Sequence, residues 1–494
     1  MISSIRNYIR NHPWIFLLFI IGSVIRLFMA AADPFLHPWD ERFHALVARN
    51  MMEHPFQPML LLNPVLPYDY THWWSNYIWV HKQPLFMWQM AMSMKVFGIS
   101  EFGFRLPSVL MGSLMTLLTY RIAWLLSNQH QRISILAAVM MTFSCFQIRS
   151  IAGIQTTDHN DIAHQFYILC SLWAFAEYLR KPTIKWAFWI GCFAGAAILN
   201  KWLTGLVVFL GWTFLAGLFK EFRTKKSLLH YSWALLICVL VFLPWQIYIH
   251  TAFPKEAAHE LAYNTQHLSK ALEGHSGPWY YYLNLFDPYF GYFLYWLILP
   301  GMLFTLKDKY LNTKLSRALT INFLFTFFFF SFIVQTKMES FFFFVAPIGF
   351  IYIAVTIDKI IHFERFKYLF PLTVIVVALM VANIQFYTDY FSKENTERNK
   401  RIANARIYKD LSKYIDPDTR VVINMNSHDD KNVMFYNPSI TAYHWWPSEA
   451  ELQQLLSQKI KIAAFRDHDQ YVLPDYVRNY PYLQIIEVNI YSFE

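Results

Sequence analysis

Long apolar runs separated by short polar segments make up most of the chain. Between Trp14 and Tyr387 these runs are about 17–22 residues long, the length that an α-helix needs to cross the hydrocarbon core of a bilayer. After about residue 390, short apolar runs alternate with charged segments instead. The pattern predicts a multi-pass α-helical membrane domain over residues 1–390 and a small external α/β domain over residues 391–494.

The positions of the basic residues predict about eleven spans. Arg6 and Arg10 precede the first run and place the N-terminus in the cytoplasm. Segment 84–98 is apolar but short, and leaving it at the interface puts all four strongly basic loops on the cytoplasmic side. The same parity places loops 33–98 and 250–286 outside. The predicted spans are 14–31, 105–127, 134–149, 162–179, 186–200, 204–219, 229–249, 287–306, 318–335, 341–357 and 368–387.

The composition agrees with a membrane protein. Hydrophobic residues make up 56% of the chain and charged residues 15%, against about 25% charged in soluble proteins. The net charge of +9 is accounted for by topology, so no nucleic-acid partner is expected. The four cysteines lie inside apolar runs without metal-ligand spacing, which indicates packing roles.

Two adjacent carboxylates, Asp40 and Glu41, follow the first span at a membrane boundary. They could simply favour the N-terminus of a helix that begins there. Carboxylates near a bilayer are costly, however, and usually functional. The aromatic segment 68–79 follows in the same loop and fits an interfacial belt and a sugar-binding surface equally well.

The next external segment carries Asp158 and Asp161 beside His159 and His164. Each acid could be a solvated helix cap. Acid and histidine side chains together also bind divalent cations, but the spacing fits no closed structural metal site. We therefore expect no resident metal here, with a non-essential divalent ion as the alternative.

Cationic residues complete the pattern at the external boundary: Arg105, Lys201 and Lys337. Each could be snorkelling or solvated, but together they could bind a lipid phosphate and stabilise it as a leaving group. Loop 250–286, with Trp279 and Tyr280, is predicted to be a lid. This combination suits glycosyl transfer from a lipid-phosphate sugar, with a carboxylate as the base. We predict only lipid contact or helix packing for the phenylalanine clusters 327–330 and 341–344.

An ordered series of motifs over roughly residues 14–360 resembles the GT-C glycosyltransferases of the protein O-mannosyltransferase and aminoarabinose transferase type. Each motif is weak alone, and the order on consistent sides of the membrane carries the resemblance. The matching stretches are Asp40 to Ala45, His81 to Trp88, Gly98 to Ser108, Asp161, Asn200-Lys201, Pro244-Trp245, and Lys337 ahead of Pro347.

The resemblance implies a GT-C fold with interfacial helices in the first external loop. It implies a polyprenyl-phosphate sugar donor, a cell-envelope acceptor and inverting transfer, without a nucleotide or an essential metal. The enzyme would lie in the bacterial cytoplasmic membrane, with its site on the external face. The implied roles are Asp40 as catalytic base, Glu41 and Asp161 as further acids, Lys82, Arg105, Lys201 and Lys337 at the donor phosphate, and His81, Asp158, Trp279 and Tyr280 at the substrate.

Departures from the family pattern put the sugar and the acceptor in question. His81 stands where the family has Glu, and Asn200-Lys201-Trp202 replaces Thr-Lys-Gly. Asp158 competes with Asp161 for one motif position. A transporter of lipid-linked sugars and a polysaccharide ligase that uses a lipid-diphosphate donor are the alternative functions.

Overall fold

The computed structural model describes residues 13–155, 159–361, 368–426 and 428–493. Arg6, Arg10 and Asp158, which entered the sequence predictions, lie outside the described residues.

Helices occupy each of the eleven stretches predicted to cross the membrane, and further helices lie in the loops between them. 3₁₀ turns at Trp202–Leu206 and Leu294–Leu297 and a π-helix at Phe329–Ile333 interrupt or extend the spans. The α-helices of this region are α1 Pro13–Ala32, α2 Asp40–Asn50, α3 Leu85–Phe97, α4 Glu101–Leu126, α5 Gln131–Phe143, α6 Cys145–Ile151, α7 His159–Arg180, α8 Ile184–Lys201, α9 Val207–Leu218, α10 Lys225–Ala252, α11 Pro254–Gln266, α12 Tyr281–Asn284, α13 Phe286–Phe290, α14 Ile298–Lys307, α15 Thr313–Phe328, α16 Ser340–Phe343, α17 Ala346–Ile361, α18 Phe370–Ala382 and α19 Ile384–Tyr390.

Five helices among the described residues are long and apolar enough to cross a membrane, or up to seven if each of two bent pairs forms one span. The chain is therefore a multi-pass membrane protein. One of the five, Ile184–Leu218, joins two of the spans predicted from the sequence through its 3₁₀ turn. The exact count of eleven stays a prediction.

Arg26 on α1 fills the break between α5 and α6. Its Nη2 donates to the carbonyl oxygen of Met141 at 2.9 Å and its Nη1 to that of Thr142 at 3.1 Å. The two helices meet at an angle of 43°, so the last carbonyls of α5 lack helical partners. A guanidinium supplies several donors in one plane and satisfies these carbonyls inside the bundle.

Loop 33–98, which was predicted to be the first external loop, contains two helices, α2 and α3, before the long helix α4 begins. Ser100 caps α4 by accepting a hydrogen bond from the Gly103 amide at 3.0 Å. Helix α3 covers the segment that was predicted to lie along the interface, and its 13 residues are too few for a crossing. Met92, Val96 and Phe97 of α3 are exposed, as a helix against a lipid surface requires.

The C-terminal region is a small α/β domain with a four-stranded parallel sheet in the order β2-β1-β3-β4. Three of its strands lie near residues 421, 462 and 484, and the capping box of Ser448 and Glu451 begins the helix near residue 449. The elements are α20 Thr396–Lys409, β1 Val421–Ile423, α21 Asp430–Tyr436, β2 Thr441–Ala442, α22 Glu449–Ser457, β3 Ile462–Phe465, α23 Asp475–Arg478 and β4 Leu483–Ile486.

Candidate active site

Three consecutive charged residues in the first turn of α2 contact three different parts of the protein. Asp40 lines a cavity in the membrane domain. Glu41 contacts Arg105 of α4, and Arg42 contacts Asp429 of the C-terminal domain. Successive helical residues are rotated by about 100°, so neighbours on one turn meet different surroundings.

Glu41 is completely buried in a network of hydrogen bonds. Its carboxylate accepts from Arg105 Nε at 2.7 Å and from the His37 amide at 2.6 Å, and it lies 3.0 Å from His159 Nε2. Burial opposes ionisation, but the charge and hydrogen bonds of Arg105 outweigh it and hold the pKa of Glu41 well below its ordinary value. Gly153 packs against this carboxylate with φ +79°, and a Cβ there would lie 2.4 Å from Glu41 Oε1. Glu41 therefore shapes the site without lining the cavity.

Arg105 does not fit the phosphate-binding role predicted for it. All five of its N–H groups are used: they donate to both oxygens of Glu41 and to the carbonyls of Ala30, Asp33 and Phe35. Its side chain is 0% exposed. Arg105 braces the entry to α2, because Asp33 and Phe35 belong to the turn between α1 and α2 and Ala30 lies in the last turn of α1.

Lys337 also departs from its predicted role at the donor phosphate. Its Nζ donates to the carbonyls of Phe330 at 2.5 Å, Ser331 at 3.0 Å and Val334 at 2.5 Å. These carbonyls lie at the end of the π-helix Phe329–Ile333, where helical partners run out. Lys337 is buried and caps that helix.

Five predicted site residues lie together around one cavity of about 360 Å³: Asp40, His81, Lys82, Asp161 and Lys201. Asp40 Oδ2 is 3.8 Å from Lys82 Nζ, and both side chains are about one-fifth exposed, at 18% and 20%. Asp161 forms an ion pair with Lys201, whose Nζ also donates to Ser340 Oγ at 3.2 Å. Both lysines thus face a common space, each beside a carboxylate.

A change of backbone direction brings Lys201 to the cavity. Helix α8 ends at Lys201, and Trp202 has φ 61°, a conformation that is rare for a large side chain. A 3₁₀ turn follows before α9. Lys201 and Trp202 both line the cavity. The break in the helix between α8 and α9 therefore coincides with the site, where strained backbone is often found.

The charges in the cavity set the protonation state of Asp40. Burial disfavours its charged form, but Lys82 and other cations around it outweigh this effect and hold the pKa of Asp40 below its ordinary value. Burial likewise opposes the charge of Lys82, and Asp40 with other carboxylates raises the pKa of Lys82 above its ordinary value. Near neutral pH, both groups are ionised.

His81 is fixed on two sides. Its Nδ1 lies 2.9 Å from Glu260 Oε2 of α11, and its ring stacks on Trp73 with centroids 4.8 Å apart. The contact between His81 and Glu260 connects loop 33–98 to loop 250–286. His81 therefore presents one ring edge to the cavity from a defined position.

Loop 250–286 contributes to the cavity lining, but through residues other than Trp279 and Tyr280, and its role as a lid stays a prediction. Trp279 and Tyr280 are 53% and 45% exposed and do not line the cavity, and Trp279 stacks on Phe332 instead. The predicted substrate-binding role of both is therefore not supported. The lining residues of this loop are Leu261, Tyr263, Asn264, Thr265, His267, Leu268 and Glu273.

Glu273 was missed by the sequence reasoning. Its Oε1 accepts hydrogen bonds from Trp73 Nε1 and from Tyr263 Oη, both at 2.8 Å. The bond to Trp73 connects loop 250–286 to loop 33–98. Glu273 has φ 53° and precedes Gly274 with φ 75°. A glycine after a polar residue was the available signal, since such pairs favour left-handed turns.

Much of the cavity lining is apolar. Phe329, Phe330, Phe341 and Phe344 line the cavity, together with Val334 and Met338. These phenylalanines belong to the clusters for which only lipid contact or helix packing was predicted, and that prediction was incomplete. The ring of Phe341 lies 4.8 Å from Lys201 Nζ, where the apolar and charged parts meet.

A histidine and aspartate cluster lies in the C-terminal domain. His428, Asp430 and His444 bring potential metal-binding atoms within 4.8 Å of one another. Lys431 Nζ lies 2.7 Å from Asp430 Oδ2 and 3.3 Å from His444 Nδ1. An ammonium group therefore supplies positive charge where a metal ion would, and we regard the cluster as an internal ion pair.

Comparison with solved structures identifies the fold. The chain is similar to the crystal structure of ArnT from Cupriavidus metallidurans bound to undecaprenyl phosphate, with a TM-score of 0.65, 15% identity and coverage of 91% of this chain and 89% of ArnT. It is also similar to the oligosaccharyltransferase AglB from Archaeoglobus fulgidus, with a TM-score of 0.58, 14% identity and coverage of 88% and 64%. The chain therefore has the GT-C fold, as its motifs predicted.

Sequence comparison agrees. Residues 81–248 match the family of dolichyl-phosphate-mannose-protein mannosyltransferases. The undecaprenyl phosphate-α-4-amino-4-deoxy-L-arabinose arabinosyl transferase 2 of Pseudomonas fluorescens is 27% identical over 210 residues, which are 40% of this chain and 36% of that protein. A second P. fluorescens transferase of this name, numbered 1, is 23% identical over 252 residues, covering 44% of each chain. The match spans well under half the length of these relatives, and the resemblance to the GT-C superfamily is confirmed.

Proposed function

We propose that this chain is an integral-membrane glycosyltransferase. It moves a sugar from a polyprenyl phosphate to a hydroxyl or phosphate group of a cell-envelope acceptor. Transfer inverts the anomeric carbon and takes place at the external face of the bacterial cytoplasmic membrane.

The shape and chemistry of one cavity carry this proposal. Asp40, Lys82, Asp161 and Lys201 line it together with phenylalanines of the π-helix and α16. A polyprenyl phosphate likewise combines an anionic head with an apolar tail. Undecaprenyl phosphate, which is bound in the crystal structure of the structurally similar ArnT, is a molecule of this class.

Lys82 and Lys201 are the groups we assign to the donor phosphate. Each lies beside a carboxylate, so the site is close to neutral until an anion enters. A phosphate placed between the lysines would take a share of their charge. That would also remove part of the effect that lowers the pKa of Asp40, and so would make its carboxylate a better base in the complex.

The proposed reaction needs one bond made and one broken. The acceptor oxygen attacks the anomeric carbon while the bond from that carbon to the phosphate oxygen breaks. The Asp40 carboxylate takes the proton when the acceptor is a hydroxyl, and an ionised phosphate acceptor has no proton to lose. Lys82 and Lys201 stabilise the negative charge that develops on the departing phosphate.

Two further predicted residues, Asp161 and His81, line the same cavity. Asp161 orients Lys201 through their ion pair, and His81 contributes a polar edge near Lys82. No nucleotide is required, because the phosphate is already part of the donor. We propose that no divalent metal is essential, so that excess EDTA leaves turnover unchanged.

The sugar is the least constrained part of the proposal. The similar Pseudomonas proteins are named for transfer of 4-amino-4-deoxy-L-arabinose, and the matching family is named for mannose. Both sugars are therefore the first donors to test. Lipid A and envelope proteins are the corresponding classes of acceptor.

Purified full-length protein in nanodiscs should release undecaprenyl phosphate from one of two synthetic donors, undecaprenyl-phosphate aminoarabinose or undecaprenyl-phosphate mannose, when lipid A or an envelope extract is added. With a hydroxyl acceptor, release should fall about a hundredfold or more in Asp40→Asn, while binding of undecaprenyl phosphate persists. Movement of the donor across a bilayer without cleavage would favour a transporter. Turnover only with a diphosphate donor would favour a polysaccharide ligase.

A further inference from the structure

The C-terminal domain contacts α2, the helix that carries Asp40, two residues from Asp40. Arg42 Nη1 donates to Asp429 Oδ1 at 2.8 Å, and each side chain is only 6% exposed. Asp40 and Arg42 are two residues apart, which places them about 200° apart around the helix. Asp40 therefore faces the cavity while Arg42 anchors the opposite side of the same turn.

Asp429 is itself rigidly held within its own domain. Its Oδ2 accepts from Tyr408 Oη at 2.8 Å, and its Oδ1 also accepts from Asn432 Nδ2 at 3.0 Å. Tyr408 belongs to α20 and Asn432 to α21. Two helices of the C-terminal domain thus fix the carboxylate that Arg42 meets.

The backbone at the start of α2 needs such support. Trp39, the residue before Asp40, has φ 63° and provides no side-chain cap for the helix. Residues in this conformation persist where the surroundings hold them. The ring of His428, next to Asp429, packs 5.8 Å from the Trp39 ring and 5.6 Å from the Phe43 ring.

We propose that Asp429, acting through Arg42, is a positioning residue for the transfer reaction. The docked C-terminal domain sets the rotation and height of the first turn of α2. It thereby sets where the Asp40 carboxylate meets the acceptor. This inference rests on the proposed function, and it makes the C-terminal domain part of the active-site construction rather than a separate binding module.

The test compares two ends of one helix. Asp429→Asn removes the anchor beside Asp40, whereas Arg49→Gln removes a contact between α2 and the same domain at the far end, where Arg49 Nη1 donates to Met434 O at 2.9 Å. Full-length variants in nanodiscs are assayed for kcat with the two undecaprenyl-phosphate sugars, for binding of undecaprenyl phosphate and for thermal unfolding. Asp429→Asn should lower kcat about tenfold to a hundredfold at unchanged affinity, and Arg49→Gln should not.

The double variant Arg42→Gln with Asp429→Asn separates positioning from stability. It leaves no charge buried without a partner, and its amide pair should recover part of the lost kcat. Wild-type kcat in folded Asp429→Asn, or equal losses of kcat in Asp429→Asn and Arg49→Gln, overturns the proposal. If Asp429→Asn does not fold, the double variant decides: a kcat below that of Arg49→Gln supports positioning, and an equal kcat overturns it.

The two proposals fail differently. If the wild-type chain releases no undecaprenyl phosphate from either donor, the proposed function is contradicted. If the wild-type chain turns over and Asp429→Asn turns over equally well, only the positioning role is contradicted.

Discussion

Two neighbouring carboxylates of α2 belong to opposite kinds of ion cluster. Glu41 and Arg105 are both 0% exposed, and Arg105 uses every N–H group within the protein. Asp40 and Lys82 are partly exposed, lie 3.8 Å apart and border a cavity. The first cluster is saturated by its own chain, whereas the second retains capacity for a ligand.

The difference distinguishes charged residues that stabilise the fold from charged residues that are able to bind a ligand. A buried cation whose donors are all satisfied has nothing to offer a phosphate, however close it lies to the membrane surface. Lys337 follows the pattern of Arg105, and Lys201 follows that of Lys82. Variants of the two groups should therefore fail in different ways.

The largest effect is expected at Asp40. With a hydroxyl acceptor, Asp40→Asn keeps the shape of the side chain but removes the base, so kcat should fall about a hundredfold to ten-thousandfold. Affinity for undecaprenyl phosphate, measured by isothermal titration calorimetry, should not decrease, because the lysines remain. Turnover near the wild-type level would contradict the role of Asp40.

Arg105 should matter for stability instead. Arg105→Met leaves Glu41 buried without its cation, which should cost about 3–5 kcal/mol of unfolding free energy. Thermal unfolding in detergent measures the loss. Arg478→Met serves as the control, because its ion pair with Asp467 is solvent-exposed and should be worth about 0–1 kcal/mol. Equal stability of the two variants would show that the Glu41 network is not structural.

The lysines of the cavity should control donor affinity. Lys82→Met and Lys201→Met each remove a charged donor that we assign to the phosphate, and undecaprenyl phosphate should bind about tenfold to a hundredfold more weakly. Lys337→Met is the matched comparison: it should lower the unfolding temperature without changing affinity. A loss of affinity in Lys337→Met alone would reverse the assignment.

The smallest effect is a shift in pH dependence. Because nearby cations hold the pKa of Asp40 below its ordinary value, the base stays ionised in mildly acidic buffer, and kcat/KM should decline only below the usual range of a carboxylate. Lys82→Met removes the main cause that lowers this pKa. The acid limb of the plot of kcat/KM against pH should therefore move to higher pH. An unmoved limb would mean that Asp40 is not the group that titrates.

The sequence predicts the architecture better than the allocation of roles. Apolar runs and basic loops identify helices at every predicted span, because bilayer thickness and topology act on local composition. The α/β character of the C-terminal domain also follows from its short apolar runs, whereas the parallel pairing of its strands was not predicted and the two-residue strand Thr441–Ala442 is too short to show a pattern. The predicted features depend on neighbours along the chain.

Site roles depend instead on distant partners. Arg105 and Lys201 look alike in sequence, each at the external end of an apolar run, and only the fold shows that one meets Glu41 and the other a cavity. Glu273 contacts Trp73, 200 residues away in the chain, and the glycine that follows Glu273 indicates a turn but not this partner. Trp279 and Tyr280 have the composition of a sugar-binding surface but are not among the residues that line the cavity.

The proposed function requires a polyprenyl phosphate to occupy the cavity lined by Asp40, Lys82, Asp161 and Lys201. Photolabelling tests this requirement most directly. Undecaprenyl phosphate carrying a diazirine in the isoprene unit nearest the phosphate is irradiated with the full-length protein in nanodiscs, and labelled peptides are identified by mass spectrometry. We predict labelling at Phe329, Phe330, Phe341 and Phe344 that excess unlabelled undecaprenyl phosphate prevents. Competable labelling confined to another face of the protein would contradict the account.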